Sequence, residues 1–249
     1  MRRLRLFSRV RRRVLPSVVA PSSISGLALW LRGDAGVTLD GSNNVTTWAD
    51  QSGNARDLTQ GTAGKRPAGL AVTLNGLPVV RFDGTDDELG AATQNLQATW
   101  GITSAYTLAY TRRCNTGAGT TRAFIQWAPA PVTNEFTVWD AFSDDNLYAD
   151  CGNTGAGGRV NALANPGTGW RRTVLRRNGT AFDSFREGAA LFSASYSANL
   201  ATGSATFTLG QIGGGFAAMD LAELCLWNRS LSDSERGQVD AWLQSRWGI

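Results

Sequence analysis

Short apolar runs along this chain are separated by clusters of Gly, Asn, Asp, Ser and Thr, the punctuation of many strands and turns. The last quarter is the most explicit. Residues 205–210 and 221–227 read as strands. In the second, a period of two places Ala222, Leu224 and Leu226 on one face and Glu223, Cys225 and Trp227 on the other. The period then changes. Ser232 and Glu235 have the spacing of a capping box, which satisfies two orphan amides at a helix start. Val239, Trp242, Leu243 and Arg246 follow at helical spacing, so one short closing helix has an apolar face to press on a sheet.

Composition extends this to the whole chain. Gly 29 against Pro 7 in 249 residues suits many turns, and sandwiches of this size often run undivided. No repeat at a fixed period is visible, which argues against a propeller or solenoid. No Pro-rich or Ser-rich linker interrupts residues 24–249. The expected architecture is all-β: one sandwich domain over residues 22–249, a short C-terminal helix, and a basic N-terminal arm over residues 1–21.

Particular segments sharpen the class. The ending MDLAELCLWNRSLSDSERGQVDAWLQSRWGI resembles the end of laminin G-like, concanavalin A-like jelly-roll domains. ISGLALWLRGDAGV, VTTWADQSGNARDL and LNGLPVVRFDGTDDEL resemble that family's first strands and its Asp-Gln-Ser-Gly-Asn loop, and TGWRRTVLRRNGTAFDSF lies between. The resemblance covers roughly residues 24 to 249. It implies a concanavalin A-like jelly-roll sandwich and leaves function open, because lectins, glycosidases, adhesion modules and virion proteins share that fold.

Charge separates the arm from the body. Seven arginines, Arg2, Arg3, Arg5, Arg9, Arg11, Arg12 and Arg13, fall in the first 13 residues, and the first acid is Asp34. The rest of the chain holds 17 basic and 20 acidic residues, so the formal charge of +4 conceals a body near −3. On a helical wheel Leu4, Leu6, Phe7, Val10, Val14 and Leu15 share one half, with Arg2, Arg5, Arg9, Arg12 and Arg13 mostly opposite, and Pro16 stops the helix. Such a segment can lie on an anionic membrane, enter a partner's acidic groove or touch phosphates. It also reads as a secretion signal cleaved near Ala20. We expect a docking arm that inserts into a neighbouring subunit, without specific nucleic-acid binding. No stretch approaches the ~20 apolar residues of a membrane span.

Missing chemistry excludes function classes. There is no His, so Ser-His-Asp and Cys-His nucleophile systems are ruled out. Without His or a Cys-x-x-Cys, zinc is not expected. Glycosidases on the family's fold carry two Glu and one Asp alternating on a single strand, and no Glu-x-Asp-x-Glu run occurs here. The expectation is a protein that is not an enzyme, with no cofactor. Cys225 reads as a small buried apolar residue, while pairing of Cys114 with Cys151 stays open. The loop acids Asp50, Asp57, Asp83, Asp86 and Asp87, with Asn54, offer oxygens for calcium. The favoured reading is that they bond their own turns, so no metal site is expected.

Aromatics remain. Sugars pack apolar C–H faces on flat rings while their hydroxyls bond adjacent polar groups. Phe136-Thr137-Val138-Trp139-Asp140, followed by Asp144-Asp145-Asn146-Leu147-Tyr148, has those ingredients on a strand and its turn. Trp139, Asp140, Asn146 and Tyr148 are therefore the candidate ligand contacts, with Phe136 assigned to the core; the competing account puts Trp139 there too. Trp30, Trp48, Trp170, Trp227, Trp242 and Trp247 read as packing. The functional expectation is a structural component of a bacteriophage virion, such as a head decoration, fibre or tail-associated protein. It would contact other virion proteins through the arm, self-associate as a homo-oligomer, and bind host cell-surface glycans. One Lys65 against 23 Arg is consistent with a GC-rich host. The alternative is an exported bacterial carbohydrate-binding or adhesion module with residues 1–20 as its signal.

Overall fold

The computed structural model describes residues 18–116, 123–129, 134–140, 142–163, 167–200 and 202–249. The arginines of the arm lie outside the described residues. In chain order the strands are β1 (Leu27–Arg32), β2 (Val37–Leu39), β3 (Val45–Trp48), β4 (Leu58–Thr59), β5 (Ala68–Leu74), β6 (Leu77–Asp83), β7 (Leu89–Gly90), β8 (Ala105–Cys114), β9 (Ala123–Trp127) and β10 (Asn134–Asp140). They continue as β11 (Asn146–Asn153), β12 (Arg159–Leu163), β13 (Arg171–Asn178), β14 (Ala181–Arg186), β15 (Ala189–Ser195), β16 (Thr208–Leu209), β17 (Gln211–Ile212), β18 (Gly215–Phe216) and β19 (Ala218–Trp227). Two α-helices, α1 (Leu96–Trp100) and α2 (Asp233–Trp247), and three short 3-10 helices complete the elements among the described residues.

The fold is a concanavalin A-like β-sandwich. One antiparallel sheet runs β15-β14-β13-β8-β19-β6-β5, with β1 also paired to β19; the other runs β12-β11-β10-β9-β16-β7-β4-β3-β2. The main core lies between them, filled by side chains such as Trp48, Phe82, Leu108, Phe124, Phe136 and Leu224. Turn chemistry sets the registers. Leu74 pairs with Leu77 across the two-residue loop Asn75-Gly76, where both residues take positive φ, as the tight hairpin turn requires. The run at 205–210 is shorter than its alternation suggests. Only Thr208 and Leu209 are ladder residues, and Ala205 makes a single bridge to Gln94.

The central strands β8, β13 and β19 of the first sheet are buried on both faces, because α2 covers their outer side. Ile24, Val79, Val174, Cys225, Trp227, Val239, Leu243 and Trp247 form this second core. Ser232 Oγ accepts from Glu235 N–H while Glu235 takes the Ser232 N–H, a complete capping box, and Gly248 closes the helix in the left-handed region. The face expected from alternation needs one correction. A β-bulge between Leu221 and Glu223 changes the phase of β19, so Ala222 joins Cys225 and Trp227 under the helix while Leu221, Leu224 and Leu226 enter the sandwich.

Glu223 also lies on the helix side, and its environment is unusual. Its carboxylate accepts three indole N–H bonds: Trp30 at 2.6 Å and Trp242 at 2.9 Å on Oε1, and Trp247 at 2.6 Å on Oε2. Burial pushes the carboxyl up from its ordinary range, against the pull of the three donors. Trp30, Trp242 and Trp247 thus pack as expected and carry a polar task as well. Cys225 is buried in the same layer, and Cys114 and Cys151 are buried as well and form no disulfide with each other.

Candidate functional site

Hairpin β10–β11 and the adjoining β12 place an aromatic cup on the outer face of the second sheet. Trp139 pairs directly with Tyr148, and Tyr148 with Asn161, so one rung of three strands carries both rings. Phe142, in the connecting turn, stands edge-on to both: its centroid is 5.3 Å from Trp139 at 90° and 5.5 Å from Tyr148 at 68°. The Arg159 guanidinium lies 5.1 Å from the Tyr148 ring centroid. These four side chains enclose a cavity of about 350 Å³. Phe142 remains 37% exposed, a large apolar ring turned to solvent.

Polar groups rim the cup. Tyr148 Oη donates to Asp144 Oδ2 at 2.8 Å, and Asn146 donates to the same carboxylate from its backbone at 3.1 Å and its amide at 3.0 Å. The Tyr148 hydroxyl is the main reason the Asp144 carboxyl sits below its usual range. Beneath Arg159, buried Asp150 takes both prongs of the guanidinium at 2.7 Å. That bond holds Arg159 charged, whereas burial pushes Asp150 upward.

The structure brings Trp139, Asn146 and Tyr148 together at this cup and separates Asp140 from them. Adjacent strand residues point to opposite faces, so Asp140 enters the sandwich interior and is 2% exposed. Its Oδ2 accepts from Tyr110 Oη at 3.0 Å and Arg112 Nε at 2.9 Å, with Arg186 at 3.8 Å from Oδ1. Burial opposes its charge, yet Arg112 and Arg186 hold the carboxyl below the ordinary range. Asp140 is a structural ion-pair member and is removed from the ligand contacts. Phe136 is fully buried in the main core.

Sequence reasoning missed Arg159 and Phe142. Arg159 follows Gly157-Gly158, and only the pairing of Asp150 with Arg159 in the β11–β12 hairpin puts it beside Tyr148. Phe142 sits between Asp140 and Asp144, where the turn that exposes it is visible but the orientation of its ring is not.

A wider depression of about 620 Å³ lies beside α2, between Arg176, Asp183, Arg229 and Asp233. Its charges are committed internally: Arg176 to Asp183 and Asp233, and Arg229 to Glu235. The aromatic cup is the better site because its rings and rim have capacity left for a ligand.

Four of the loop acids, Asp50, Asp57, Asp83 and Asp87, bond backbone groups of their own loops. Asp50 accepts from Trp30 N, Ser52 N, Ser52 Oγ and Arg56 N, and Asp57 accepts from Asp50 N. Asp83 caps Thr85 N and Asp86 N, while Asp87 accepts from Asp83 N at 2.8 Å. Carboxylate oxygens of Asp83, Asp86 and Asp87 lie within 4.8 Å of one another, and burial, with this crowding, pushes Asp87 up to about 6. A carboxyl raised this way stabilises the fold while protonated. Its contribution is full below the unfolded value of 3.8 and is lost as pH rises through about 6. Asp87→Asn is expected to gain about 1 kcal/mol over the parent at pH 7 and to match it at low pH, in urea unfolding across a pH series. A loss at pH 7 that calcium restores to the parent alone makes the cluster a cation site.

Comparison with known proteins speaks to fold. No family model matches the sequence, and no curated protein matches it. Among solved structures, a Trypanosoma rangeli sialidase in complex with sialic acid aligns with a TM-score of 0.59 at 12% identity, over 90% of this chain and 33% of that one. The binding domain of botulinum neurotoxin DC, in complex with rat synaptotagmin II, aligns with a TM-score of 0.61 at 14% identity, over 90% of this chain and 53% of that one. The binding domain of Paraclostridial Mosquitocidal Protein 1 aligns at 0.59 and 13%, over 89% and 52%. The fold is shared. This chain spans about a third of the sialidase and about half of the two toxin domains.

Proposed function

We propose that this chain is a non-enzymatic recognition module that binds glycans through the cup of Trp139, Phe142, Tyr148 and Arg159, and that it serves as an outer structural component of a bacteriophage particle. The observation that carries the binding reading is the cup itself: perpendicular aromatic rings open to solvent, with Asp144 and Asn146 at the rim. Rings of this kind take the apolar face of a pyranose, and the rim takes its hydroxyls. Similarity in fold to a sialidase and to toxin binding domains is in keeping with a recognition role.

The virion part rests on the arginine-rich arm, which suits insertion into a neighbouring subunit, and on the preference for Arg over Lys. Among the described residues β5 and β15 end the first sheet, β5 being bridged only at Ala68 and Gly69 by Asn43 and Asn44, and these edges offer surfaces for self-association. The competing reading, an exported adhesion module, parts from this one at the N-terminus. Protein recovered from its source with residues 1–20 intact supports the virion role, and a chain starting near Pro21 supports export.

A glycan array probed with the full chain tests the binding role. Saturable binding is expected, weakened about thirtyfold or more by Trp139→Ala, the loss typical of an aromatic hot spot. Trp139 is half-buried and also packs against the main core, so urea unfolding of the variant is compared with the parent before its binding is read. Silence of the folded parent across the array refutes glycan recognition and leaves the structural role alone.

A further inference from the structure

Resting on that reading of the cup, we propose that the site selects uncharged glycans and discriminates against sugars bearing a carboxylate. Arg159 looks at first like an anchor for an acidic sugar. Its fork is already occupied: Nε and Nη2 each meet a different oxygen of buried Asp150 at 2.7 Å. A guanidinium neutralised from below presents a flat wall and its remaining N–H donors to the cup, with little net positive field for a ligand anion.

The other charges near the cup are negative. Asp144 is bonded to the Tyr148 hydroxyl that forms the wall, and its carboxyl is held in the ionised form. Glu135 shares the outer face of β10 with Trp139, four residues away, and bonds the Thr137 hydroxyl at 2.8 Å. Among the described residues, Glu135 and Asp150 act on Arg159, with burial pushing both carboxyls up, and Asp144 and Asp145 lie in the turn at the rim, so acids outnumber the one guanidinium and the field at the cup leans negative.

Donor and acceptor supply agrees with the charge. The Asp144 carboxylate accepts from Tyr148 and Asn146 and is exposed to solvent at the rim, where it can accept a further donor. A sugar hydroxyl can donate to it. A ligand carboxylate has no proton to give and meets a like charge.

Arrays carrying matched pairs test this: lactose against sialyllactose, and glucosides against glucuronides, probed with the full chain. The basic arm attracts anionic glycans wherever they are displayed, so the quantity compared is the binding that Trp139→Ala removes. The neutral member of each pair is expected to bind about tenfold tighter or better in that component, and Asp144→Asn to shrink the gap severalfold. Equal or tighter binding of the carboxylated member overturns the selectivity while leaving the cup as a glycan site. An unchanged gap in Asp144→Asn overturns the role given to that charge. Absence of any Trp139-dependent binding overturns both the selectivity and the recognition reading beneath it.

Discussion

Glu223→Ala is expected to cost the fold about 3–5 kcal/mol, enough to leave many domains of this size largely unfolded near body temperature. Glu223 lies at 0% exposure between the first sheet and α2 and is the shared acceptor of the Trp30, Trp242 and Trp247 indoles. Removing it strands three donors that water reaches poorly, and each unsatisfied buried donor costs about 1–3 kcal/mol. Glu223→Gln keeps one carbonyl oxygen in place and is expected to lose about 1–2 kcal/mol. Urea unfolding followed by tryptophan fluorescence reads both variants, since three of the nine tryptophans report on the site. A loss below about 1 kcal/mol in the alanine variant would mean that the apolar contacts of Val239, Leu243 and Trp247 hold the helix unaided.

Asp140→Ala is expected to be comparably severe, at about 3–5 kcal/mol, because it leaves Arg112 charged and buried in the sandwich. Arg112 is 1% exposed, and Arg186 lies against the same carboxylate. The double variant Asp140→Leu/Arg112→Met, which replaces the pair by apolar groups of similar volume, is expected to recover most of the loss. A double variant as unstable as the single one would show that Arg186 and Tyr110 also depend on Asp140. The experiment matters for function too. Asp140 neighbours Trp139 in sequence, so a binding defect in Asp140→Ala reports unfolding and must not be read as loss of a ligand contact.

The layered sheets, the capped helix and the core place of Phe136 were legible in sequence because each rests on local pattern: a period of two, a period near 3.6, and Ser232 with Glu235. The bulge in β19 was not, because alternation counts residues and a bulge inserts one without marking it. Buried arginines were equally hidden. Arg112, Arg172 and Arg177 are at most 3% exposed, but in sequence they look like solvated positions of a basic strand. Most of their partners come from far away: Asp140 for Arg112, Asp240 for Arg172, and the carbonyls of Cys151 and Ala198 for Arg177, which also bonds the nearby Gly179 carbonyl. For the cup, Trp139 and Tyr148 could be found as aromatics flanking a polar turn, whereas Arg159 required the strand register that only folding supplies.

Strand β19 lies at the centre of its sheet, hydrogen-bonded to β8, β6 and β1. A ribosome delivers β6 and β8 more than a hundred residues before residue 218, so while the nascent chain grows β6 has β5 and β8 gains β13, but the strand that lies between β6 and β8 is missing. The sheet therefore completes late and through distant pairings, which predicts slow folding and a vulnerable interval in which strand edges can capture other chains. Yield in a foreign host should depend on chaperone supply and growth temperature more than on the stability of the finished molecule.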